Sequence, residues 1–315
     1  MKSSDPFFYF ATIISKDYLI KGLSFYDSLK NQTQNFHVWI CCMDDISYDT
    51  FSKMKLEQAT LIHLTDIENE ELRQVKSGRK LNEYCWTIKA PLCIYVLEHY
   101  KEIDHIIYCD ADMYFFLDPK PIHTEWGSHP AFLCRQRGSH ELERLHGSYQ
   151  AGLIGFKRNE QGMTILHWWN DRCIEKCFDI YEDTSWGDQK YLDRIPHLFP
   201  SVKILEHIGI NAAPWNLVMN NSHKVWKKDG RVYLDDSELV AYHFGSMLIL
   251  NEHEFELWKL EILPFSEEVH SLIYMPYIKS LRESGNKLMK KINVDESLLY
   301  ADPPSDYSVK NSLKL

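Results

Sequence analysis

The sequence predicts an α/β fold: a parallel sheet flanked by helices, followed by a helical C-terminal segment. Three observations carry this. Short apolar runs rich in β-branched and aromatic residues alternate with helix-periodic segments through the first third, the pattern of strands joined by crossover helices. The chain has 315 residues, 44% hydrophobic and 25% charged, enough to bury a large core. No stretch approaches the roughly 18 consecutive apolar residues of a membrane-spanning helix.

The elements follow in order. Residues 7–14 form the first strand. A helix over 18–29 places Leu19, Leu23, Tyr26 and Leu29 at helical spacing. Strands over 36–42 and 59–64 bracket a helix over 48–55. A strongly apolar helix covers 87–99, with Pro91 expected in its first turn, where a missing N–H is tolerated. Ile106-Ile107-Tyr108-Cys109 is a short buried strand. Further on, 131–135 and 152–156 read as strands, 161–178 as a helix bearing Trp168 and Trp169, and 203–205 and 240–244 as short strands. After about residue 250 the pattern turns mostly helical. Residues 264–291 set Val269, Leu272, Ile273, Tyr277, Leu281 and Leu288 on roughly one face, and Lys279, Arg282, Lys287, Lys290 and Lys291 give a basic end. The tail from Asp295 is polar, carries Pro303-Pro304, and is expected to be loose. The expected division is one domain over 1–250 and a helical extension with its tail over 251–315.

Asp110-Ala111-Asp112 follows directly on the strand over 106–109. Residues i and i+2 of a strand share a face, so the two carboxylates are expected to converge where the strand leaves the core. In open α/β sheets ligands bind at such carboxyl ends. Paired carboxylates repel and resist desolvation unless a cation lies between them. Hard oxygen ligands suit Mg2+ or Mn2+, and two carboxylates leave coordination positions that a diphosphate can fill. The plainer alternative is a solvated acid pair, because Asp-x-Asp alone is a weak signal.

The formal net charge of −10 argues against general nucleic-acid binding, which needs a basic footprint. It does not oppose a nucleotide held through a metal. Aromatic content of 13% hints at carbohydrate stacking surfaces, although large cores use the same rings. The eight cysteines include no CxxC pair, and several sit in apolar stretches. Cys173 and Cys177 stand i and i+4 on a helix, so a zinc site joined by His167 is one alternative to ordinary core packing. The N-terminus shows no secretory pattern, and a reducing cytoplasm is the expected compartment.

Six segments in order resemble the GT-A glycosyltransferases, most closely family 8, which includes lipopolysaccharide transferases and glycogenin. They are Phe10-Ala11-Thr12 with Asp17-Tyr18 and a helix ending Ser28-Leu29; Tyr108 to Asp112; Tyr149-Gln150-Ala151-Gly152-Leu153; Gly187-Asp188-Gln189; Pro214-Trp215-Asn216; and Tyr242-His243-Phe244-Gly245. The resemblance spans about residues 7–250. It implies a mixed, mainly parallel GT-A sheet and a transferase that moves a sugar from a nucleotide diphosphate, with retention.

The resemblance also implies roles. Asp110 and Asp112 would hold Mn2+ or Mg2+ on the diphosphate, with His243 as third protein ligand; the alternative for His243 is a core histidine. Ala11 and Asp17 would lie near the nucleotide. The family's base-reading Asp directly follows the first strand, whereas here Ile13-Ile14-Ser15-Lys16 intervenes before Asp17. UDP is the expected nucleotide. Gln150 stands where the family has Asn, so its contact with the donor sugar is an expectation against a departure. Asp188 would bind sugar hydroxyls and Gln189 would lie beneath the anomeric carbon; a helix cap is the alternative for Asp188. Lys89 would face the phosphates or simply solvent. Trp215 and Asn216 line a pocket or belong to the core. The acceptor would be a glycan or a lipid-linked glycan of a bacterial surface polysaccharide. The basic C-terminal helix would touch the inner face of the membrane, or pack on the domain. Two other classes compete: a silent nucleotide-sugar-binding protein of the same fold, and a haloacid-dehalogenase-type phosphotransferase, which wants its Asp pair on the first strand.

Overall fold

The computed structural model describes residues 6–217, 223–260, 266–300 and 311–315. Its strands begin with β1 (Phe8–Ile14), β2 (Phe36–Cys42), β3 (Ala59–His63), β4 (His105–Cys109), β5 (Met113–Phe115), β6 (Ala131–Arg135), β7 (Tyr149–Lys157) and β8 (Lys203–Leu205). All but β5 join one seven-stranded sheet in the order β3-β2-β1-β4-β7-β6-β8. Four of its pairings are parallel, and β7 runs antiparallel to both β4 and β6. This is the mixed, mainly parallel sheet the resemblance implies.

Both faces are covered, which is why the strands read as near-continuous apolar runs. On β1, Phe8, Phe10 and Ile14 face one core, while Ala11 and Ile13 face the other. The helices Leu19–Gln32 and Met275–Lys287 close the first face; Leu81–His99 and Glu160–Glu175 close the second.

Two local expectations are corrected. The helix expected from residue 87 begins at Leu81, so Pro91 lies in its interior. The start is fixed upstream: the Lys80 N–H donates to the Glu83 carboxylate at 2.7 Å. Burial of Ile88, Leu92, Cys93, Val96 and Leu97 outweighs the roughly 3 kcal/mol an interior proline costs. Asp110 to Asp112 are not strand residues either. β4 stops at Cys109, and a turn closed by Met113 N–H to Asp110 C=O (3.1 Å) carries the chain into β5. The carboxylates converge because the chain turns.

The second half holds more strand than expected. β9 (Val225–Lys228), β10 (Arg231–Leu234) and β11 (Ser237–Glu238) form a meander. Its first turn is Asp229-Gly230, with φ of 49° and 81°, the left-handed pair that a two-residue hairpin requires. β12 (Ala241–His243) pairs with β5, and β13 (Leu248–Ile249), β14 (Glu254–Glu256) and β15 (Ser312–Lys314) form a small antiparallel sheet. The expected helix holds from Glu267 to Ile292, interrupted by π-turns at His270–Tyr274 and Leu288–Ile292. Its apolar face is taken up by the domain: Tyr277 stacks on Phe244 at 3.8 Å, and Ser280 bonds Ser24 at 2.8 Å. Lys287 pairs with Asp27 and Arg282 with Glu252. Pro303-Pro304 lie outside the described residues, and the end of the tail is a paired strand rather than a loose one. No helix among the described residues is long and apolar enough to cross a membrane.

Candidate active site

Asp110, Asp112 and His243 come together at the carboxyl end of β4, with one ligand atom from each lying within 4.8 Å of the others. The ladder explains how residues so distant in sequence meet. β12 lies antiparallel to β5 with His243 opposite Met113, and the Phe244 N–H donates to the Asp112 carbonyl at 2.9 Å. His243 Nε2 stands 3.2 Å from Asp112 Oδ1 and 3.9 Å from Asp110 Oδ2. Trp215 packs edge-on against the imidazole (5.7 Å, 78°). On the other side only a glycine fits: a Cβ on Gly152 would sit 2.7 Å from His243 Cε1 and 3.0 Å from Asp110 Oδ2. Two carboxylates and an imidazole aimed at one point, on a backbone cut away to make room, fit a divalent cation of the Mg2+ or Mn2+ type.

Fixed cations flank the group. Lys89, buried on the Leu81–His99 helix, lies 3.0 Å from Asp110 Oδ1 and 3.2 Å from Asp188 Oδ2. Tyr108 donates its hydroxyl to Asp110 Oδ1 at 2.8 Å. On the opposite layer, Lys21 of the Leu19–Gln32 helix is buried 3.9 Å from Asp112 Oδ2, donates to the Met247 carbonyl at 2.8 Å, and lies 4.5 Å over the Tyr18 ring.

The charges set the protonation states. Burial works against the Asp112 carboxylate, but His243 and Lys21 outweigh it and hold its pKa well below the usual range. Burial also pulls the imidazole of His243 down, while Asp112 and Asp110 bring it above its ordinary value. Burial disfavours the Lys89 ammonium, and Asp110 with Asp188 more than restore it. Asp188 behaves oppositely: burial pushes it up to about 6 despite Lys89, with Asp110 adding to the rise.

The remaining expected site residues divide. Gln189 lies beside β7, accepting from the Ala151 N–H and donating to the His146 carbonyl, each at 3.2 Å. Gln150 commits its amide N–H to the carbonyls of Arg135 (3.2 Å) and Asn211 (3.1 Å), leaving Oε1 buried without a protein partner. Trp215 and Asn216 are buried behind His243, both bonded to the Gln136 carbonyl. Ala11 is sealed within β1, and Asp17 is exposed in the turn Lys16–Tyr18. The zinc alternative does not hold: Cys173 and Cys177 are fully buried while His167 is exposed. Sequence reasoning missed Lys21. Its one signal is a lysine between Ile20 and Leu23, on the apolar face of a helix.

The architecture and its metal-type cluster define an α/β protein of GT-A glycosyltransferase fold. The galactosyltransferase LgtC, solved with donor and acceptor sugar analogues, superposes with a TM-score of 0.56 at 11% identity, over 87% of this chain and 95% of that one. The glycosyltransferase GlyE of Streptococcus pneumoniae superposes with a TM-score of 0.51 at 14% identity, over 96% of this chain and 66% of that one. No protein-family model matches the chain. In sequence it is 32% identical over 282 residues to the uncharacterized protein YfnD of Bacillus subtilis, covering 87% of this chain and 89% of YfnD. It is 33% identical over 257 residues to the uncharacterized YfnF of the same organism, covering 78% and 84%. The chain belongs to the family of YfnD and YfnF.

Proposed function

We propose that this protein is a metal-dependent glycosyltransferase that moves a sugar from a nucleotide diphosphate, a UDP-sugar, to a hydroxyl of a glycan or lipid-linked acceptor, with retention at the anomeric carbon. Its place is the synthesis of a bacterial surface polysaccharide at the cytoplasmic face of the membrane. The observation that carries this is the convergence of Asp110, Asp112 and His243 at the ligand-binding edge of a GT-A sheet.

Asp110, Asp112 and His243 would hold Mn2+ or Mg2+, which supplies neutralising charge for a departing diphosphate. The protein's own groups do the rest. Lys89 fixes Asp110 and Asp188 in one orientation by binding both. Asp188, buried beside Lys89, is an acceptor for sugar hydroxyls. Gln189 is a neutral amide held at both ends and a poor nucleophile, which favours attack from the face the leaving group departs. Lys21 and Lys89 add preorganised positive charge on either side of the carboxylate pair.

A panel of nucleotide sugars with Mn2+, read as released nucleotide diphosphate, tests this. Release from one donor, lost on chelation and lost in Asp112→Ala, is the expected result. Full release in Asp112→Ala or in the presence of EDTA overturns the metal assignment. Saturable binding with no release, with or without acceptors, overturns the transferase reading in favour of a binding protein.

A further inference from the structure

Beside the carboxylate cluster stands an aromatic group that the chemistry above does not use. Trp86 lies one turn before Lys89 on the same helix, so the two share a face. Its ring lies 5.5 Å from Trp186, two residues before Asp188. Trp186 in turn meets His146 edge-on at 4.3 Å and Tyr181 in a near-parallel stack (5.8 Å, 12°). Gln189 connects the group to the site through its bond to the His146 carbonyl.

We propose that Trp86, Trp186, Tyr181 and His146 form a stacking platform for a pyranose ring of the acceptor, so that the acceptor is a neutral carbohydrate. This rests on the transferase reading and specifies its substrate.

Three features support it. The rings are not sealed in the core: Tyr181 is 51% exposed, and Trp86 and Trp186 are only half-buried, so part of the aromatic surface reaches solvent. The axial C–H groups of a pyranose make an apolar face of matching size, and rigid Trp and Tyr rings offer contact area at low entropic cost.

The platform is also fixed in advance. Lys190 Nζ donates to the carbonyls of Arg144 and Glu182, each at 2.7 Å, tying the His140–His146 helix to the loop that bears Tyr181 and Trp186. Asp179 accepts from Trp186 Nε1 at 3.0 Å, and Glu83 accepts from the Asp179 N–H at 2.9 Å. Gly187 has φ of 51°, and a Cβ there would stand 3.0 Å from Trp86. Preorganisation of this kind lowers the cost of holding a ligand.

The rim selects for charge. Asp179 and Glu182 stand at the rim; Glu182 is paired with the Lys176 ammonium at 2.7 Å, and the Lys190 ammonium is turned onto carbonyls. Carboxylates accept from sugar hydroxyls, and the two ammonium groups of the rim are already engaged by protein oxygens, which leaves little to attract a nucleotide or a phosphorylated ring here.

The test uses the full chain and methyl glycosides of glucose, galactose, mannose, rhamnose and N-acetylglucosamine, read by saturation-transfer difference NMR without nucleotide. At least one glycoside is expected to receive saturation at its ring C–H protons. The signal should be lost in Tyr181→Ala and in Trp186→Ala, and kept in Phe7→Ala, an exposed aromatic elsewhere on the surface. Tyr181 is exposed enough that its removal leaves the fold intact, which circular dichroism verifies. No saturation from any glycoside, or saturation that survives both substitutions, overturns the platform. Glycoside contact without release of nucleotide diphosphate in the donor panel refutes the reaction and leaves the platform; the reverse pattern refutes the platform alone.

Discussion

Gly152→Ala is the sharpest probe of the carboxylate–imidazole cluster, because it adds one methyl group at the centre of it. The new Cβ would lie 2.7 Å from His243 Cε1, 2.9 Å from Nδ1 and 3.0 Å from Asp110 Oδ2. Ordinary carbon contacts begin near 3.5 Å, so the imidazole or the carboxylate must move by roughly 0.5–1 Å. His243 has little room to give, since Trp215 packs its edge against the ring at 5.7 Å between centroids. Overpacking of this kind costs about 1–3 kcal/mol. The larger effect falls on the cation. Disturbing the groups that orient metal ligands lowers affinity about 10–100-fold. Two measurements check this: Mn2+ binding by calorimetry, and the thermal shift produced by saturating Mn2+. The variant should fold with a lower melting temperature and lose most of the Mn2+-dependent shift. Gly78→Ala is the control, because its Cβ would meet only Val75 O at an ordinary 3.8 Å. Unchanged Mn2+ affinity in Gly152→Ala would refute the reasoning, since the methyl group cannot be accommodated without displacing a ligand.

Other outcomes follow from the same geometry. Lys89→Met leaves Asp110 and Asp188 without their shared cation. Asp188, at about 6 against an ordinary 3.8, then rises further because burial and Asp110 lose their main opponent. A folded-state pKa above the unfolded one means stability present at low pH and lost as pH rises through it, so the variant's melting temperature should fall from about pH 4 to above pH 6 more steeply than wild type; a flat profile contradicts the pairing. Lys21→Met should lower stability without metal yet raise Mn2+ affinity, because it removes a cation 3.9 Å from Asp112; weaker Mn2+ binding by calorimetry would contradict this. A chain ending at residue 260 exposes the surface covered by Val269, Ile273, Tyr274, Tyr277, Ile278, Leu281 and Leu288. At roughly 1.5–3 kcal/mol per side chain this rivals the 5–15 kcal/mol of a typical domain, so the truncated chain should be insoluble, and a soluble, cooperatively melting product would show the helix to be dispensable.

What the sequence makes legible, and what it hides, follows from how local each signal is. The strands Phe8–Ile14, Phe36–Cys42 and His105–Cys109 are buried on both faces, so they are plain as apolar runs. The Asp110–Asp112 pair is visible as a motif, but its convergence comes from a turn whose hydrogen bond no periodicity reveals. His243 is recognisable through its neighbours Tyr242, Phe244 and Gly245, and only the pairing of β12 with β5 explains its arrival beside Asp112. Lys21 is masked because a lysine on an apolar helical face reads as an interruption until its partner across the fold is known. Ser312–Lys314 is three residues long and pairs with a strand more than fifty residues away, too short for any pattern. The Trp86–Trp186–Tyr181–His146 group draws on three separate segments, and its exposure is a tertiary property.

The order of charges across the site says how a cation and a diphosphate would occupy it. Lys21 neighbours Asp112, His243 lies between Asp112 and Asp110, and Lys89 lies between Asp110 and Asp188. To ligate a metal, His243 must give up the proton that Asp112 and Asp110 favour; with the imidazole then neutral and Asp188 ionised, two ammonium groups and three carboxylates leave a single net negative charge, which a buried cluster tolerates because each ion touches one of opposite sign. A divalent ion entering alone would leave one net positive charge and would be opposed by both lysines. A divalent ion entering with a diphosphate would meet the reverse balance, because Asp110, Asp112 and His243 would hold the ion while Lys21 and Lys89 would add positive charge that favours the phosphates. On the proposed function, metal and nucleotide would therefore bind cooperatively, each raising the affinity for the other by the same factor. On that proposal, the lysines that would weaken the site for a bare cation are the groups that would make it selective for a cation already carrying phosphate.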